Sequence, residues 1–208
     1  MARPRAFDHD QAVAAAAELF RQRGYESTSM RDLIAQLGMS SSSIYAAFGD
    51  KDGLFMAALT HAAAEDTKRF GRTMGSAPDF LGGMRRLYDD LIDDVLADDT
   101  PWITLTFRVA VELANPKPAV RSFMQGYVAG LIDPLATGLR AAAERGELRL
   151  SRPPDDLALY LLLCAFNLPF VAMLGRERQR LEAFVAVALS VIPEVQPAAA
   201  ADRAAEGS

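Results

Sequence analysis

The chain holds one cysteine, Cys164, and two histidines, His9 and His61, among 208 residues. A single thiol cannot close an internal disulfide. With so few imidazoles and thiols, neither a zinc cluster nor a histidine-centred catalytic triad is expected. No cofactor is expected either. Basic charge is scarce too: 22 Lys+Arg against 27 Asp+Glu leave a net charge of −5, which excludes nucleic-acid binding by bulk charge. Residues 1–55 carry 6 basic against 7 acidic side chains. Any DNA-facing charge is therefore local, such as Arg3 and Arg5 in a short leading arm and Lys51 farther on. Alternating strand patterns are almost missing. No apolar stretch follows the charged opening residues, so a secretory leader is not expected. The one long apolar run, 157–174, barely reaches bilayer length and is interrupted by Asn167 and Pro169. It reads as a buried interface helix of a cytoplasmic protein.

What is present is helical periodicity throughout. Val13, Ala16, Ala17 and Phe20 repeat at i, i+3, i+4, i+7, which places them on one helix face. Gly24 ends that helix. Ser27, Thr28 and Ser29 offer the next N-cap, Asp32 making a capping-box variant with Ser29, and the second helix buries Met30, Leu33, Ile34 and Leu37 and stops at Gly38. Ser40 caps a third, short helix with Ile44 and Phe48 inward, and Asp50 caps a longer fourth that runs to about residue 74. Beyond the break at 75–78 come about five longer helices punctuated by Pro and Gly. Pro134 predicts a kink or split near Ile132 in one of them. The tail after 192 is Ala-rich and without large apolar side chains, as in a disordered terminus.

The turn Leu37-Gly38-Met39-Ser40 joins two short helices as a helix-turn-helix requires. The second of them presents Ser41, Ser42, Ser43 and Ala46 away from Ile44 and Phe48, small enough to enter a major groove. Taken alone, the same pattern also fits a solvated surface helix.

The stretch FDHDQAVAAAAELFRQRGYESTSMRDLIAQLGMSSSSIYAAFGDKDGLFMAAL, with LF…GY, TSMRDLI, GMS, IY..F and DK…LF in register, resembles the N-terminal domain of the tetracycline-repressor (TetR) family. That resemblance implies an all-α fold: a helix-turn-helix DNA-binding domain over 1–55, and a helical effector-binding and dimerisation domain over 56–192. It further implies a homodimeric regulator, a repressor released from a palindromic operator by a small-molecule inducer. In this picture Thr28 and Ser29 hold a backbone phosphate at a helix N-terminus, and Tyr45 and Lys51 contact phosphate. Ser41, Ser42 and Ser43 are the candidates for base edges, with Ala46 for a thymine methyl and Ser40 beside them at the DNA. Arg5 in the arm reaches an adjacent minor groove or belongs to a disordered tail with diffuse attraction. Packing of Tyr45 beside Phe48, or a solvated Lys51, is the alternative. Ser42 stands where the family usually has glycine, so the bases read stay open.

Residues 76–192 show no phosphate loop, metal spacing or activated nucleophile. An inducer cavity needs apolar walls and a few polar groups. Met84, Tyr88, Trp102, Phe107, Met124 and Tyr127 are candidates for the first, Arg108, Glu112 and Asn167 for the second, favouring a neutral aromatic or lipophilic ligand. Arg108 and Glu112 can equally pair along one helix face. A two-fold interface needs a self-complementary apolar surface. Leu159, Leu162, Leu163, Phe166 and Phe170 are its candidates on one helix, with Leu181, Phe184, Val185, Ala188 and Val191 on the last. The readings left standing beside the repressor are a DNA-binding activator and a helical carrier or enzyme with an incidental helix-turn-helix.

Overall fold

Local caps decide where the helices begin. In the computed structural model, which describes residues 9–97, 104–112 and 117–193, nine helices and no strand occur among the described residues. They are α1 (His9–Arg23), α2 (Met30–Leu37), α3 (Ser41–Phe48), α4 (Lys51–Gly75), α5 (Phe80–Leu96), α6 (Leu105–Glu112), α7 (Pro118–Glu144), α8 (Pro154–Met173) and α9 (Arg178–Leu189). At α2, Ser29 accepts from the Asp32 amide at 3.2 Å while Asp32 accepts from the Ser29 amide at 2.9 Å, closing the expected box. Ser40 accepts from the Ser43 amide at 3.1 Å and Asp50 from the Gly53 amide at 2.8 Å. Gly38 ends α2 in the left-handed region, φ 62°, where a side chain would be strained. Gly53 is needed for another reason: a Cβ there would lie 1.9 Å from the Phe48 carbonyl oxygen, so only glycine lets α4 leave α3 so tightly.

Two apolar cores form. The head core joins Ala16, Phe20, Leu33, Ile44, Leu54 and Phe55, with the Phe20 and Phe55 rings edge to face at 5.0 Å, a favoured aromatic geometry. It does not close at residue 55: Ala58 and Leu59 continue it along α4, and Leu105, Val109 and Val120 seal it from α6 and α7. The body core is built from α5, α7, α8 and α9 around Met84, Tyr88, Leu135, Leu139, Leu161 and Leu168. At 1.5 Å per residue, the 25 residues of α4 span roughly 37 Å and are shared by both cores. The expected split near Ile132 does not occur. Pro134 lies inside one continuous α7 and is exposed, so the carbonyl one turn back can tilt to water. Helix α8 is long and apolar enough to cross a bilayer, but half of that stretch is buried inside the fold.

Candidate nucleic-acid interface

Helix α3 sends only Ile44 fully inward; Ser41, Ser42, Ser43, Tyr45, Ala46 and Ala47 are exposed and Phe48 half-buried. The hydroxyls of Ser40, Ser42 and Ser43 lie together, Ser40 Oγ being 2.9 Å from Ser42 Oγ and 2.8 Å from Ser43 Oγ. Each hydroxyl can donate or accept, so this end of α3 adapts to either kind of base edge. Tyr45 is 50% exposed. The Lys51 ammonium rests 4.1 Å from the centroid of the Tyr25 ring, a cation–π seat at the first turn of α4.

At the start of α2 the structure corrects one expectation. Thr28 is fully buried, and its hydroxyl donates to the Gly24 carbonyl at 2.6 Å. The turn after α1 turns that carbonyl inward, where it needs a partner, so the Thr28 hydroxyl does not face a phosphate. Ser29 is exposed, but its amide and hydroxyl both donate to Asp32, at 2.9 and 2.5 Å. Those contacts, the Ser29 hydroxyl first and then the Ser29 amide, hold the Asp32 carboxyl below its ordinary value. The exposed side chain of Arg31 stands in the first turn of α2, a cation that the sequence pattern did not single out. Arg5 lies outside the described residues.

Polar contacts add to the apolar seal between the head and the helices α6 and α7. Lys117, just before α7, pairs with Asp52 and donates to the Tyr25 hydroxyl oxygen at 3.3 Å, while the Tyr25 hydroxyl donates to Asp52. The Lys117 contact, then that of Tyr25, holds the Asp52 carboxyl below the usual range. From α6, Arg108 Nη1 donates to the Arg21 carbonyl at 3.0 Å.

Between α4, α5, α6, α7 and α8 lies a cavity of about 110 Å³. Phe70, Leu91, Phe107, Leu131 and Phe166 supply apolar wall; Asp66, Arg69, Asp90, Asp94, Thr104 and Tyr127 supply the polar part. Asp66 accepts from Thr106 at 2.5 Å and from Tyr127 at 3.2 Å, and burial pushes its carboxyl up from the ordinary value. On α8, α9 and the turn after α8, Leu159, Tyr160, Leu163, Phe170, Leu174 and Val187 are exposed, the Phe170 ring centroid lying 6.2 Å from that of Phe107.

The model described as "Bacterial regulatory proteins, tetR family" matches residues 12–58. The HTH-type transcriptional repressor Rv1474c of Mycobacterium tuberculosis is 30% identical over 175 residues, 83% of this chain and 86% of that protein. A cysteine mutant of the TetR-family regulator CifR, solved on 26-bp operator DNA, superposes with TM-score 0.77 at 30% identity over 92% of this chain and all of that one. The chain belongs to the TetR family. It is a DNA-binding transcriptional regulator. Reduced NemR of Escherichia coli shares the fold, with TM-score 0.80 at 23% identity over 91% of this chain and 100% of its own.

In this TetR-family body the sequence-predicted residues fall into separate places. Phe107 and Tyr127 line the cavity. Met84 and Tyr88 do not: both are fully buried in the body core, and the Tyr88 hydroxyl donates to the Leu161 carbonyl at 2.8 Å. Met124 packs on the head core and Arg108 bonds α1, because the chain around α6 serves the head. Asn167 is exposed on α8 and donates to the Leu163 carbonyl at 2.6 Å, one turn back. Trp102 and the side chain of Glu112 lie outside the described residues. Of the expected interface residues, Leu162, Leu181, Val185 and Ala188 belong to the monomer's own core. Phe166, Phe184 and Val191 are half-buried against it, and Leu159, Leu163 and Phe170 are exposed.

The acidic cavity residues and the outward Tyr160, Met173, Leu174 and Val187 escaped sequence reasoning. The signal for the first lay in Asp66 with Arg69 at i, i+3 and Asp90 with Asp94 at i, i+4, each pair sharing one helix face. For the second, helix α8 is apolar nearly all round and gives no clean period.

Proposed function

We propose that this regulator is a homodimeric repressor whose α3 helices enter successive major grooves of a palindromic operator, and that a small molecule in the body cavity releases it. The observation that carries the reading is the pairing of a capped, outward-facing serine helix with a long α4 shared by both cores. Ser40 to Ser43 and Ala46 face the bases. Tyr45, Lys51, Arg31 and the free first amides of α2 face phosphates, a helix N-terminus favouring anions. Arg5 belongs to the minor-groove arm.

Dimerisation uses the outward face of α8 and α9 through Leu159, Leu163, Phe170 and Val187, since an apolar patch of this kind marks an interaction surface. A ligand contacting Asp66, Arg69 or Phe70 on α4 acts through its different affinity for two head spacings, typically about 1–3 kcal/mol of coupling. The protein works on DNA in the cytoplasm.

The test is selection from a pool of random duplexes at two salt concentrations. Enrichment of a palindrome of roughly 15–25 base pairs with a steep salt slope is the expected result. Weak, salt-sensitive binding with no enriched sequence would remove α3 as a base reader.

A further inference from the structure

Sequence alone favoured a neutral ligand, yet the folded cavity is acidic. Asp66 enters from α4 and Asp90 and Asp94 from α5, against Arg69 as the lining cation. Arg69 is already engaged by Asp94 at 2.5 Å. Asp66 meets only neutral donors among its described hydrogen bonds, the hydroxyls of Thr106 and Tyr127, and Asp90 accepts from the Thr73 hydroxyl at 2.9 Å. Asp66 and Asp90 thus border largely apolar space with neutral hydroxyls as their described hydrogen-bond donors, and Arg69 is shared with Asp94; burial penalises the charged form of Asp66. Around them stand the rings of Phe70, Phe107, Tyr127 and Phe166, whose faces attract cations. The volume, about 110 Å³, is several times the ~10–15 Å³ that one water requires, so the space takes a small charged group with the adjoining part of an apolar body.

We infer that the ligand of this cavity is an organic cation on an apolar body, an amine, amidinium or quaternary ammonium whose charge sits between Asp66 and Asp90 and whose body lies against the aromatic wall. The inference rests on the reading of this cavity as the effector site. An apolar carboxylate is disfavoured by the same walls, because Arg69 is paired and the remaining charges repel it.

The test compares three probes of similar size by calorimetry on the full chain: benzyltrimethylammonium, its uncharged carbon isostere neopentylbenzene, and 3-phenylpropionate. The cation is expected to bind at least ~10-fold tighter than the isostere, and the anion weakest. Asp66→Asn keeps the shape and accepts the same hydroxyls. It is expected to remove most of the preference for the cation while leaving neopentylbenzene affinity unchanged, and Asp90→Asn to do so in part. Equal or tighter binding of the isostere or the anion, no binding of the cation, or a preference untouched by both variants overturns the inference. Operator affinity is measured in parallel. Cation binding that leaves it unchanged supports the ligand class and sinks the effector reading. Operator release by the neutral probe alone does the reverse.

Discussion

Replacing Tyr45 with phenylalanine and Lys51 with glutamine separates two kinds of phosphate contact. Tyr45 is half-exposed on α3, so loss of its hydroxyl alone should move stability by less than ~0.5 kcal/mol. A hydrogen bond to a charged group is worth about 1.5–3 kcal/mol. Taking the lower figure at each half-site gives about 3 kcal/mol for a dimer, roughly a 100-fold loss of operator affinity. The hydroxyl releases no counterion, so the salt slope should stay as it was. Lys51→Gln removes a cation held 4.1 Å from the Tyr25 ring centroid. It should flatten the log–log salt slope by roughly 2 for two half-sites and cost about 0.5–1 kcal/mol of stability through the lost cation–π contact. Fluorescence anisotropy on a labelled operator at four salt concentrations reads both quantities, and urea unfolding checks the fold. Parental affinity in Tyr45→Phe, or an unchanged salt slope in Lys51→Gln, would refute the assignment of these side chains to phosphate.

Three further outcomes are expected. Leu163→Glu, at a position 46% exposed, should give monomers in sedimentation velocity, whereas Leu181→Ala, fully buried, should lower the unfolding free energy by about 2–5 kcal/mol. A Leu163→Glu variant that remains dimeric would move the interface elsewhere. Tyr88→Phe removes the hydroxyl that bonds the Leu161 carbonyl, which keeps its place in the α8 helix ladder, so the cost should be about 0.5–1.5 kcal/mol; an unchanged urea midpoint would count against that bond. Burial raises the Asp66 carboxyl above its ordinary 3.8, so the folded state keeps a proton that the unfolded chain has lost. Stability from this group therefore falls as pH rises above 3.8 through the folded value, and above both the cost is constant. Compared with Asp66→Asn, the parent should lose stability across that window, and parallel stability curves for the two proteins would contradict the burial argument.

The head was legible in the sequence because its determinants are local. Caps at Ser29, Ser40 and Asp50 act over three residues, and the inward residues of α1 to α4 follow one helical period. The exception, Thr28, is instructive: its position at the start of α2 is local, but whether its hydroxyl faces out depends on where the Gly24 carbonyl points. In the body, sequence determined that helices form and roughly where they stop. Tertiary packing determined which side of each faces what. Leu162 and Leu163 are neighbours in an apolar run, yet one is core and the other exposed, because α5, α7 and α9 cover only part of α8. Asp66 and Asp90 are far apart along the chain and come to line one cavity only when α4 and α5 pack together. Periodicity assigns a residue to a helix face; which face becomes core, cavity or outer surface is set by the partners that bury it.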